Sequence, residues 1–115
     1  MTRRTMDFYH RMACSMVWNE RRTGETHLDV ATRCAEQMAH MGLEDVDPRK
    51  VIDWAIDERA DRLVRNEMQT DQNKGRIEER RPLPPVDQER LAEMRYALIN
   101  LIERSDQQLE EARRD

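Results

Sequence analysis

The chain has 115 residues, of which 37% are hydrophobic and 38% charged, with a formal net charge of −4. An ordinary soluble domain is roughly 45–50% apolar and 25% charged, so these values fit one small, apolar-poor domain with an extension, or two very small units. No apolar run approaches the ~20 residues needed to cross a bilayer and no signal-peptide segment is present, which excludes a helical membrane protein and gives the expectation of a cytoplasmic one.

Glycine and proline are scarce, at 3 and 4, and aromatic residues make up 4%. Strand-forming residues never alternate over a strand length. The composition predicts an all-α fold. Helix 1 is expected from Thr5 to Arg21, with Thr5 as N-cap, Asp7 in the first turn and Thr23-Gly24 as the stop. Its apolar arc holds Met6, Phe8, Tyr9, Met12, Ala13, Met16 and Val17. That arc is about 180° wide where a single core face needs roughly 100°, so helix 1 must touch two neighbours, or one neighbour and an outside partner. Helix 2 is expected to start at Thr26, with Asp29 completing a capping box, and to end at Gly42-Leu43 in a Schellman-type turn. Leu28, Val30, Ala31, Cys34, Ala35, Met38 and Met41 form its apolar face. Helix 3 opens on Asp47 as N-cap and Pro48 at the first helical position, runs to about Met68 and buries Val51, Ile52, Ala55, Ile56, Ala60 and Leu63.

Residues 70–86 hold one Gly and three Pro without a helical period, and read as an extended connector with Leu83-Pro84-Pro85 in polyproline II. Helix 4 starts at Asp87, runs to about Arg113 and carries Leu91, Met94, Leu98, Leu101, Ile102 and Leu109 on its apolar face. The organisation read from the chain is therefore a three-helix unit over 1–69, an Arg/Pro-containing connector over 70–86 and a long amphipathic helix over 87–115. Helix 4 packs back on the unit or pairs with a second copy. Its heptad-like residues Leu91, Met94, Leu98 and Leu101, with Ile102, are the expected dimer seam, and the apolar-poor core favours a homodimer.

Both tryptophans fall off the core arcs, Trp18 among Asp7, Arg11 and Ser15, and Trp54 among Lys50, Glu58, Asp61 and Arg65. They are either covered by the protein's own connector or helix 4, with Arg65 or Lys50 against a ring, or they anchor an interface. Trp18, Trp54, Phe8, Met12 and Arg65 are the candidate partner-binding residues.

Catalytic and metal-binding patterns are sparse. His10 and Cys14 have ligand-like spacing, but Cys34 and His40 lie about 120° apart on helix 2, so no metal site is expected. Glu58 and Asp61 lack a facing acidic pair on another helix, and nearby arginines sit at salt-bridge spacing. No phosphate loop, nucleophile elbow or metalloprotease motif appears, and neither cysteine has an identifiable base. The two cysteines make no disulfide framework and read as reduced, mostly buried thiols. No catalytic residue and no cofactor are expected.

All but two of the 20 basic residues are arginine, yet no segment departs from neutrality by more than three charges. Arg76, Arg80 and Arg81 in the connector are the best candidates for a nucleic-acid contact, the alternative reading. The leading expectation is a non-enzymatic protein-protein interaction module: an adaptor, regulator or inhibitor, of a kind that phage and mobile elements encode, docking by helix faces.

Overall fold

The computed structural model describes residues 5–75 and 85–114. These form four helices and, among the described residues, no strand: α1 (Met6–Asn19), α2 (His27–His40), α3 (Pro48–Gly75) and α4 (Gln88–Arg114). The fold is all-α, a three-helix unit plus a long C-terminal helix.

The helix ends follow from local chemistry. Thr26 accepts from the Asp29 N–H at 3.1 Å while the Asp29 carboxylate accepts from the Thr26 N–H at 2.9 Å, a reciprocal capping box at the start of α2. At its other end Leu43 N–H donates to Met38 O at 2.8 Å and Gly42 N–H to Ala39 O at 3.2 Å. This is the Schellman pair, and it requires the left-handed φ of 109° that Gly42 adopts. Asp47 accepts from the Arg49 N–H ahead of α3, and Asp87 from the Glu89 and Arg90 N–H groups ahead of α4. Thr5 occupies the N-cap position of α1 but its side chain makes no capping bond.

Two boundaries differ from the sequence reading. α1 stops at Asn19, not Arg21. α3 continues through Gly75, past the expected end near Met68 and into the segment read as connector. Extending a formed helix costs far less than starting one. Gln69, Gln72 and Lys74 are good helix formers and no proline intervenes before Pro82, so loss of an apolar stripe does not end the helix.

The core has two parts. The first joins α1, α2 and the start of α3 through Tyr9, Ala13, Met16, Val17, Val30, Ala31, Cys34, Met38, Val51 and Ala55. The second joins α3 to α4 through Ile56, Ala60, Val64, Leu91, Leu98 and Ile102. α3 and α4 run antiparallel. Arg90 pairs with Glu67 at 2.7 Å near one end, and the C-terminal part of α4 lies beside the start of α3.

The expected dimer seam is therefore largely spent within the chain. Leu91, Leu98 and Ile102 are buried against α3, and Met94 packs on the same cluster. Leu101 is 53% exposed, a correction to its place on the apolar face. The cause is angular. α4 meets α3 along a line centred on Leu98 and Ile102, one turn apart, and Leu101 projects from the flank of that line.

α4 also reaches α2. Asp106 accepts from the backbone N–H of His27 at 2.8 Å and of Leu28 at 3.3 Å, and from His27 Nδ1 at 2.7 Å. Arg113 donates to Gly24 O and to Asp29, and Arg21 to Ser105 Oγ at 2.9 Å. No helix among the described residues is long and apolar enough to cross a membrane.

Candidate functional site

Besides Tyr96 and Leu101 on the outer flank of α4, large apolar side chains stay uncovered in two regions. One is the start of α1 and the end of α2, where Met6, Phe8 and Met41 are exposed. Met41 belongs to an arc read as core, and Met6 and Phe8 to the wide arc of helix 1, which predicts a second neighbour or an outside partner. They project from helix ends, beyond the reach of neighbouring helices. The Tyr9 hydroxyl donates to Met41 O at 3.4 Å and ties the two ends together, and Phe8 stands edge-on to Tyr9 at 5.5 Å. Met12, one turn from Phe8, is half-buried against the first cluster.

The other region is a groove of about 460 Å³ where the start of α2, the start of α3 and the C-terminal part of α4 converge. Leu28, Ile52, Ile56, Ile99 and Ile102 form its floor. Leu28 and Ile99 are each 38% exposed. Asp53, Glu103, Asp106, Gln107, Glu110 and Arg49 stand around it. Helical register builds this surface. Ile52 and Ile56 are one turn apart on α3, and Ile99 and Ile102 are neighbours at i,i+3 on α4, so the two pairs face one trough. Asp106 has a structural task at the edge, the cap on α2.

Of the predicted partner residues, Met12, Trp18 and Trp54 pack against the first cluster, while Phe8 is exposed and Arg65 stands apart on α3. Trp18 is a packing residue that touches both clusters, with its indole N–H donating to Ala55 O at 3.0 Å. Its ring meets His27 edge-on at 5.7 Å and lies under the Arg59 guanidinium at 5.7 Å. Among the described residues its cover comes from α2, α3 and the cluster shared with α4, and the cation on its ring is Arg59, not Arg65 or Lys50. Trp54 is half-buried and stacks with His10, centroids 4.7 Å apart. Arg65 ion-pairs Asp61 one turn back at 2.8 Å and joins no tryptophan. Arg76, Arg80 and Arg81 lie outside the described residues.

The sequence reading passed over Asp106 and the groove. Asp106 gives no local signal, because its partners are 78 and 79 residues away. Ile99 was not placed on any face, though its spacing from Ile102 was a usable cue.

The thiols are free and buried. Burial pushes the Cys34 thiol up to about 11 and raises Cys14 as well, which keeps both protonated and poorly nucleophilic. His10 is committed to Trp54 and His27 to Asp106. Among the described residues no group of three or more His, Cys, Asp or Glu side chains is placed to hold a metal ion. Arg33 and the Arg22 N–H hold Glu25 below its ordinary carboxylate value, and Arg113 with the Thr26 N–H does the same for Asp29. Both shifts come from ties that fasten the turn before α2.

Comparison of the chain with protein-family models, with curated proteins and with solved structures finds no match.

Proposed function

We propose that the chain is a non-enzymatic docking module, an adaptor, regulator or inhibitor that binds a protein partner through helix faces. The observation that carries this reading is the aliphatic floor of the groove, left open beside a well-sealed core. Single exposed leucines are ordinary on protein surfaces. A concave set of five aliphatic side chains ringed by charges is the usual form of a binding site. The non-enzymatic part is supported by the state of the reactive groups: two protonated buried thiols, and two of the three histidines, His10 and His27, engaged within the fold. Free thiols also suit action in a reducing compartment such as the cytoplasm.

The test is recovery of bound protein from the source organism on immobilised wild-type chain and on the double variant Leu28→Ser/Ile99→Ser. Wild type should retain a specific protein that the variant loses. If the same set is retained by wild type, by the double variant and by Phe8→Ser, helix-face docking is wrong.

A further inference from the structure

We infer that the groove takes an amphipathic α-helix with Lys or Arg beside its apolar stripe, an inference that rests on the docking function proposed above. Dimensions, backbone chemistry and charge each support it.

The α3 wall runs from Arg49 to Ile56 and the α4 wall from Ile99 to Glu110. At 1.5 Å per residue these are about 10 Å and 16 Å long, or two to three helical turns. A helix with apolar residues at i, i+4 and i+7 matches that length. An extended peptide does not. It needs a sheet edge to pair its N–H and C=O groups, and every element among the described residues is a helix. The floor is aliphatic and offers such a backbone nothing. A helix satisfies its own backbone before it arrives.

Charge sets the sign of the partner. Asp53 on the α3 side and Glu103 and Glu110 on the α4 side are exposed, and none has a hydrogen-bond or ion-pair partner among the described residues. Farther along the seam two carboxylates of α3 are matched by arginines of α4, Glu67 by Arg90 and Asp57 by Arg95. At the groove the described residues set Arg49, and Arg113 within electrostatic reach of Glu110 but bonded to Asp29, against these three acids, while Asp106 is engaged with α2. Among the described residues the rim therefore carries a net negative charge. It attracts a basic helix and repels an acidic one or a phosphodiester backbone.

The experiment is a fluorescence-anisotropy titration of the full chain with three labelled 14-residue peptides: an amphipathic Leu/Lys helix, a scramble of the same composition, and the Leu/Glu equivalent. The Leu/Lys helix should bind saturably, with the scramble at least about tenfold weaker. Ile99→Ser should weaken it about tenfold, and Glu103→Lys a few-fold with a shallower salt dependence. Circular dichroism melting checks that Ile99→Ser folds, and Glu103→Lys, at an exposed site, gives an independent reading. Equal binding of the scramble overturns the inference in favour of bare charge attraction. Tighter binding of Leu/Glu overturns the sign of the rim yet leaves helix docking standing. Loss on Phe8→Ser with none on Ile99→Ser moves docking to the α1 end and overturns the groove. Absence of binding by all three peptides overturns the inference, while the docking function is judged separately by the partner-recovery experiment.

Discussion

The two parts of the core are built differently. Ala13, Val17, Val30, Ala31, Cys34, Met38, Val51 and Ala55 of the first part are essentially sealed from solvent. In the second part Ala60 and Val64 are sealed, but Ile56, Leu91, Leu98 and Ile102 all keep some exposure. The first packs alanines, valines and a cysteine around Tyr9, Met16 and Met38 at the meeting of three helices. The second lays larger aliphatic residues along a two-helix seam whose edges stay open. Ion pairs hold those edges, Arg90 to Glu67 and Arg95 to Asp57, all at least 42% exposed and worth little in stability. The first part supplies rigidity, and the second has surface to spare for a partner.

The largest break in this contrast should come from Trp18, which belongs to both parts. Trp18→Ala removes a ring packed on each cluster and the indole hydrogen bond to Ala55 O. A loss of about 3 kcal/mol is expected, read from the urea midpoint, with the whole chain losing cooperativity. Next comes a matched pair. Met38→Ala in the sealed part should cost about 3 kcal/mol, and Leu98→Ala at the open seam about 2 kcal/mol. Their hydrogen-exchange patterns should differ. Leu98→Ala speeds exchange in α4 and spares α2, whereas Met38→Ala speeds both. Equal, global effects would show that the two clusters are one cooperative core.

Asp106→Ala should cost about 1–2 kcal/mol, because the His27 and Leu28 N–H groups lose an acceptor. The sign of the acid dependence is fixed by the lowered values of Glu25, Asp29 and Glu67. Carboxylates held low in the fold stabilise it above their unfolded values, 4.5 for Glu and 3.8 for Asp, and that contribution is lost as pH falls through the folded values. The melting temperature should accordingly hold above about pH 5 and decline with further acidification. Glu25→Gln should flatten that decline more than Glu67→Gln does. The Glu25–Arg33 pair is 20% and 23% exposed, the Glu67–Arg90 pair 44% and 42%. Glu67→Gln is the smallest effect expected of this series.

Helix number, caps and most core positions were legible because they are local. Thr26, Asp29, Gly42, Asp47, Pro48 and Asp87 each act within a few residues of their own position. The faces were legible where a helix is enclosed, as for Val30, Cys34 and Met38. They were misread at helix ends and flanks, where a wheel cannot tell how far a neighbour extends; Leu28, Met41 and Leu101 are all of this kind. Trp18 shows a different limit. It sits among polar residues on the wheel, yet its long ring reaches sideways to α3 and finds a carbonyl there. The groove was hidden because three helices, far apart in sequence, each contribute only one or two of its floor residues.

The cap that Asp106 places on α2 has a consequence for synthesis. α2 emerges with its own start already specified, since Thr26 and Asp29 satisfy each other three residues apart. Asp106 emerges about 80 residues later and completes a turn that has long been formed. The α1–α3 unit can therefore assemble as the chain is made, in N-to-C order. The groove cannot, because Ile99, Ile102 and Glu103 come from the same late stretch as Asp106. A nascent chain halted before Ile99 would hold most of the sealed core yet present no trough, so the proposed docking would be reserved for chains translated past that point.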